Sequence, residues 1–189
     1  MAKTILKKCY YCGSCSIGCG REIEITKGSY AGINGAGPEY ESLGMLGSNC
    51  LVKDLKAVAY ANDLCNRLGL DTISTGAVIA FAMELYEQNM ITKNDLEGID
   101  LTWGNAPAVI ELIKRMGNSE GVGKFLGKGV KKIADEIGGN AQDFAIHTKG
   151  LEFPAHDPRA YNSLAVGYAT SNRGACHLRA WAVSQDAFG

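Results

Sequence analysis

Beyond residue 50, apolar positions recur at helical spacing through most of the chain. Leu51, Leu55, Val58, Ala59, Cys65 and Leu68 share a stripe with Asn62, and Gly69 follows at the position where a left-handed C′ residue ends a helix. Asp71 then reads as the N-cap of a second helix through about Gln88. Its first half, Thr72 to Met83, is apolar or small on nearly every face, which belongs in an interior. A third helix is predicted from Pro107, with Asn105 or Ala106 before it, to Met116. A fourth covers Val122 to Ile137, interrupted by Gly127 and Gly129. A fifth starts at Asp157-Pro158, as N-cap and N1, and runs to about Thr170. Residues 1–50 read as loop-rich, with one short alternating strand from Arg21 to Thr26. The predicted fold class is mainly α, with a loop-rich cysteine segment at the N-terminus and no internal repeat.

Composition narrows this picture only a little. The 189 residues allow one domain, or one and a small part of another, and 46% hydrophobic content is ordinary for a globular core. A balance of 19 basic against 20 acidic residues argues against a phosphate-tracking surface, so no nucleic-acid partner is expected. The longest strongly apolar run, Ala77 to Met83, is too short to span a bilayer, and the N-terminus lacks the apolar core of a signal peptide. The expectation is a cytoplasmic protein with no membrane partner, whose 7 cysteines serve as metal ligands or buried thiols. Cys65, on the apolar stripe, reads as a buried small hydrophobe.

Four cysteines change the picture more. Cys9, Cys12, Cys15 and Cys19 crowd one short run, with gaps of two, two and three residues. One loop can wrap such thiolates around a compact centre, as a cubane iron–sulfur cluster requires. The spacing matches the bacterial ferredoxin run, although Gly20 stands where proline usually follows. In two-cluster ferredoxins the fourth cysteine of the run serves the other cluster, so the spacing alone does not assign all four to one centre. Zinc usually takes two ligand pairs separated by a longer stretch, and disulfides require an oxidising compartment; both remain as alternatives.

Three polar clusters stand out from the helical background. Gly37-Pro-Glu39-Tyr-Glu41 carries two carboxylates on a turn, suited to acid–base work or simply to solvent. Asn66-Arg-Leu-Gly69-Leu-Asp71-Thr72-Ile-Ser74 joins two helices in a tight turn, which is either a capped corner or a set of helix N-terminal amides for a polar cofactor edge. The third is Lys149-Gly-Leu-Glu152-Phe-Pro-Ala-His156-Asp157-Pro-Arg159 followed by Asn172-Arg173-Gly-Ala-Cys176-His177-Leu-Arg179. Its density of histidine, arginine and carboxylate exceeds what a solvated face needs.

Taken together, in this order, these strings resemble the tungsten-dependent aldehyde ferredoxin oxidoreductase family over nearly the whole chain. The resemblance implies a helical domain of that type, a [4Fe–4S] cluster and a tungsten (or molybdenum) bis-molybdopterin. It also implies oxidation of an aldehyde to a carboxylic acid, with electrons passed through the cluster to ferredoxin. Carried over by position, Cys12, Cys15 and Cys19 match cluster ligands, and Cys9 is an extra cysteine able to serve as a fourth. Asn66, Gly69, Leu70, Asp71 and Thr72 match a pterin-binding turn that often begins with aspartate, where this chain has Asn66. Glu39, with Glu41 as second choice, and His177 match the groups near the metal. His156 reads as a structural residue of the Asp157 turn.

The resemblance also divides the chain. Residues 1–140 correspond to a helical domain carrying the cluster loop and the pterin-binding turn, and 141–189 to the start of the following helical domain. A β-rich pterin-binding domain before this region, and a second pterin motif after it, are expected as further family domains or a complementary subunit, and a homodimer is compatible with the family. Alone, the chain is expected to be inactive and to expose the apolar Thr72–Met83 helix. The competing readings are an iron–sulfur electron-transfer module without pterin, a zinc-bound structural domain, and a subunit of an aromatic acyl-CoA reductase with the same cofactor.

Overall fold

The computed structural model describes residues 4–179 and 183–188. Helix is the commonest regular structure among them, but the first 36 residues are not loop alone. Strands β1 (Leu6–Tyr10), β2 (Gly20–Ile25) and β3 (Ile33–Ala36) form an antiparallel sheet in the order β1-β2-β3. Only β2 was legible as a strand. Its alternation puts Ile23 and Ile25 inside, where they pack with Ile5, Ile33 and Ala59, and turns Glu24 outward. The flanking strands hide their pattern, because β1 carries Lys7-Lys8 and β3 carries Gly35. Cys9 pairs with Arg21 and Tyr10 with Gly20, so the remaining clustered cysteines occupy the loop that turns β1 back into β2.

After β3 the chain enters α1 (Tyr40–Leu43), which widens without a break into a π-helical turn (Gly44–Ser48). Helices α2 (Leu55–Leu68), α3 (Thr72–Glu87), α4 (Ala106–Asn118), α5 (Val122–Leu126) and α6 (Val130–Ile137) follow. Their ends obey the sequence signals. Asp71 caps α3 by accepting from the Ser74 amide at 2.9 Å, Gly69 closes α2 at φ 71°, and Asn105 caps α4. The interruption at Gly127 and Gly129 separates α5 from α6.

The α3 helix is the centre of the main core: Val78 through Met83 and Leu85 are all buried. This corrects the expectation that the helix would lie exposed, since α2, α4, α6 and the π turn already cover it. Gly76 is what allows the π turn so close; a Cβ there would stand 2.5 Å from the Met45 carbonyl carbon. Among the described residues no single helix is long and apolar enough to cross a membrane.

The last part holds a 3-10 turn (Ala141–Phe144), the two-residue strands β4 (His147–Thr148) and β5 (Leu151–Glu152), α7 (Asn162–Thr170) and α8 (Val183–Phe188). The predicted N-cap of α7 at Asp157 is wrong by four residues, since Tyr161 holds that position. Asp157 accepts from the Arg159 amide at 2.8 Å and closes a turn with Ala160, and the extended backbone of Tyr161 separates that turn from the helix. An aspartate before proline suits such a turn as well as a helix start.

One buried carboxylate ties this part to the helices. Glu152, 4% exposed, accepts from the Ser74 hydroxyl and from the Val130 amide, both at 2.9 Å. It thereby satisfies an orphan donor at the start of α6 and grips the first turn of α3. Glu152→Ala strips the buried Val130 amide and the half-buried Ser74 hydroxyl of their acceptor and is expected to lower unfolding free energy by about 1–3 kcal/mol, with Glu152→Gln milder because its amide oxygen still accepts one bond. Urea midpoints at unchanged m-value measure this; equal midpoints for wild type and alanine variant would contradict the role.

Candidate functional site

Three residues from separate segments meet at the junction of α1 with the stretch after β5. Glu41 is buried at 9% exposure. Its Oε2 accepts the Ala155 amide at 2.6 Å, and its Oε1 is hydrogen-bonded to His156 Nδ1. The His156 ring lies against Tyr40 on one contact, at 4.8 Å between centroids, and stacks on His177 at 5.3 Å and 12° on another. One ligand or proton-carrying atom from each of Glu41, His156 and His177 falls within 4.8 Å of the others. Tyr168, buried on α7, donates from its hydroxyl to the His156 carbonyl at 2.9 Å and fixes that backbone.

Local sequence explains how the cluster forms. The π turn after α1 places Gly44 against Ala155, where a Cβ would come within 2.5 Å of the alanine methyl. Only glycine lets the 153–156 backbone approach closely enough for its amide to reach Glu41. The electrostatics follow from burial. Desolvation lowers the His177 pKa from the ordinary 6.5; the Glu41 carboxylate opposes the shift and His156 adds to it. Burial, with the Glu41 charge beside it, raises the Tyr168 phenol, which stays a donor.

The residues singled out by sequence are distributed unequally. His177 and Glu41 come together; Glu39 does not join them. Its side chain is exposed and paired at 3.1 Å with Arg21. His156, read from the sequence as structural, is the partner of Glu41. Tyr168 escaped notice because a tyrosine on a helix carries no motif. In the turn between α2 and α3, Asn66 and Asp71 are exposed, Gly69 has open space at its Cβ direction, and the Thr72 hydroxyl is hydrogen-bonded with Ser42 at 2.9 Å. The turn is therefore a capped corner whose outer face is polar and exposed.

The cysteine loop offers thiols of the right chemistry. Cys9, Cys12 and Cys19 are exposed and Cys15 half-buried, and the Cys15 amide donates to the Cys12 carbonyl at 3.1 Å in a tight turn. Soft thiolates on one hairpin loop suit an iron–sulfur centre. Arg21, two residues past Cys19, also keeps its Nε buried and without an acceptor among the described residues, a donor available to a bound group. By contrast, Cys50 and Cys65 are buried in the helical core, where desolvation pushes each thiol up to about 12. They are inert small hydrophobes.

An apolar cavity of about 1070 Å³ adjoins the Glu41 cluster. Tyr40 and Ala155, both in contact with that cluster, are part of its wall.

Comparison with known proteins identifies the family. Residues 1–189 match the family described as aldehyde ferredoxin oxidoreductase, domains 2 and 3. The tungsten-containing aldehyde ferredoxin oxidoreductase of Pyrococcus furiosus is 39% identical over 100% of this chain and 30% of its own length. The corresponding protein of Thermococcus kodakarensis is 38% identical over 94% of this chain and 29% of its own. A third relative, the WOR-like subunit of an aliphatic sulfonate oxidoreductase from Pyrococcus furiosus, is 32% identical over 93% of this chain and 29% of its own. The active-site complex BamBC of benzoyl coenzyme A reductase shares the fold at a TM-score of 0.70 and 24% identity, over 87% of this chain and 25% of that one. The chain thus spans about 30% of the length of the curated relatives it matches, and it belongs to the aldehyde ferredoxin oxidoreductase family of oxidoreductases.

Proposed function

We propose that this chain supplies the acid–base groups and the cluster loop of a tungsten-dependent enzyme that oxidises aldehydes to carboxylic acids and passes electrons through a [4Fe–4S] cluster to ferredoxin. The observation that carries the reading is the cluster of buried Glu41 with half-buried His156 and His177, beside a large apolar cavity whose wall includes their neighbours Tyr40 and Ala155. Cys12, Cys15 and Cys19 hold the cluster, with Cys9 available as fourth thiolate. Asn66, Gly69, Leu70, Asp71 and Thr72 receive a pterin edge. When bound, the tungsten cofactor supplies the two-electron redox chemistry.

The protein's own residues handle protons. An aldehyde and a water yield a carboxylic acid, two protons and two electrons. His177, kept neutral by burial, donates a hydrogen bond to the aldehyde oxygen and raises the electrophilicity of its carbon. Glu41 replaces Glu39 as the base: it accepts a proton from the attacking water, while the Ala155 amide and His156 hold its two oxygens in place. Tyr40 and Ala155 bring the substrate-sized space to this pair.

His177→Asn in the assembled enzyme is expected to lower kcat by about 10²–10⁴-fold with tungsten and iron content retained. Full turnover with full metal content removes His177 from the mechanism. The depressed His177 pKa also sets a direction for the pH profile. The neutral imidazole persists below pH 6.5, so the acid limb of kcat due to this group lies below that value. A limb above it contradicts the assignment.

Cys9 gives an independent test of the cluster. Cys9→Ser is expected to convert a four-iron electron paramagnetic resonance signal into a three-iron one, or to abolish it, in the 189-residue chain reconstituted with iron and sulfide. An intact four-iron spectrum assigns the fourth ligand elsewhere.

A further inference from the structure

Two tyrosines and two glycines of the cysteine run meet in pairs. Tyr10 and Tyr11 stand between Cys9 and Cys12, and Gly18 and Gly20 stand on either side of Cys19. Tyr10 is the cross-strand partner of Gly20. Its ring lies over that glycine, so closely that a Cβ on Gly20 would stand 2.6 Å from Cε2 and Cζ. The Tyr11 ring covers Gly18 in the same way, with its Cε1 2.5 Å from where a Cβ would be. Gly20 is buried and Gly18 half-buried, although both flank the exposed Cys19. Gly13, in the same loop, shows the contrast, since nothing comes within 4 Å of its Cβ direction. The departure from the ferredoxin pattern at Gly20 has its reason here: any side chain at that position would occupy the space of the Tyr10 ring. Gly18 adds a backbone requirement, at φ 63°.

Aromatic rings packed on bare glycine backbone pin register between strands. Here the two contacts are interleaved with the thiols. The Tyr10–Gly20 contact fixes Cys9 against Cys19, each one residue away from it along its own strand. The Tyr11–Gly18 contact fixes Cys12 against Cys19 from the other side. Cys15 follows from Cys12 through the turn that its amide closes at 3.1 Å. The spacing of all four thiols is therefore set by the protein's own contacts. The sheet's apolar core is Ile5, Ile23, Ile25 and Ile33 with Ala59. Tyr10 and Tyr11 lie outside it and remain 39% and 64% exposed. Rings left that open add little to global stability, so their placement serves the loop.

We propose that Tyr10 and Tyr11 are positioning residues that pre-form the cysteine loop, so that the chain folds first and takes up its metal centre afterwards. The proposal rests on the cluster reading above and adds how the ligands are held. It sets this loop apart from zinc-finger domains, whose ligands become ordered only as the metal binds. A pre-formed loop spares the centre that ordering cost, so the bound group is held more tightly and lost more slowly.

A metal probe reads the thiols without enzyme activity. The reduced 189-residue chain is titrated anaerobically with Co²⁺, whose thiolate charge-transfer and d–d bands report tetrahedral sulfur coordination. In parallel it is reconstituted with iron and sulfide and challenged with a ferrous chelator. Tyr10→Ala with Tyr11→Ala is expected to weaken Co²⁺ binding and to speed cluster loss by about tenfold each, as removal of groups that orient metal ligands does. Tyr10→Phe with Tyr11→Phe, which keeps both rings, and Gly13→Ala are expected to match wild type. The urea midpoint is expected to stay unchanged in all of these variants. Gly20→Ala, which displaces the Tyr10 ring, is expected to weaken Co²⁺ binding in the wild-type chain but to add nothing once Tyr10 is replaced by alanine. Four outcomes overturn the proposal: no Co²⁺ binding by wild type, no loss in the alanine double variant, a loss that phenylalanine fails to restore, or a loss matched by a fall in the urea midpoint. Tyrosine-dependent Co²⁺ binding in a chain that assembles no four-iron cluster upholds the loop and overturns the iron–sulfur reading instead.

Discussion

A buried carboxylate is costly unless donors meet both of its oxygens, and this chain buries two of them at one junction. Glu41 finds its donors 114 and 115 residues away, at the Ala155 amide and His156. Glu152 finds one donor 78 residues back, at Ser74, and another at Val130. Each carboxylate belongs to one side of the junction and is satisfied by the other. The segment carrying β5 and His156 is therefore held in place by two complementary requirements, one on α1 and one on α3 and α6. Removing either leaves unpaired polar groups inside, which is a stronger constraint on register than apolar packing alone.

Close backbone approach is the condition for this pairing. Carboxylate side chains are short, so the donors must come to them. Gly44 lets Ala155 lie against the π turn, and Gly76 lets that turn lie against α3. A π turn shifts the helical register within a few residues and re-aims what precedes it. Here Glu41 sits in the short α1 that runs into such a turn, and its neighbour Tyr40 faces both His156 and the cavity. The same packing that meets the carboxylates also desolvates His177, so the imidazole's lowered pKa is a by-product of how the junction is closed.

The sequence disclosed what local rules govern and concealed what distance governs. The caps Asp71 and Asn105, the C′ glycine Gly69 and the break at Gly127-Gly129 are local, and α2 to α6 fall close to where these residues put them. Strand β1 was hidden because its lysines face solvent on an edge and its pattern has meaning only beside β2. The start of α7 was misplaced because Asp157-Pro158 satisfies turn and helix rules alike, and Tyr161 settles the choice. Among site residues, the motif containing Glu39 and Glu41 was recognisable, but which of the two turns inward depends on where α1 begins. His156 was undervalued for a related reason: its partner is a hundred residues away, and only its neighbour Asp157 was visible.

Glu39 then acquires a different place in the molecule. It stands just before α1, and its carboxylate receives Arg21 at 3.1 Å, while the same guanidinium reaches toward the Pro38 carbonyl. Arg21 lies on β2, two residues past Cys19 and paired with Cys9 across the sheet. The exposed ion pair contributes at most about 1 kcal/mol by itself. Its position matters more than its strength, because it joins the strand that leaves the cysteine loop to the helix that carries Glu41. Through Gly20 and Arg21 the cysteine loop is thereby linked to the start of α1. On this view the two carboxylates of the Gly37-Pro-Glu-Tyr-Glu41 segment divide the work: the outer one braces the helix against the cysteine strand, and the inner one faces the histidines.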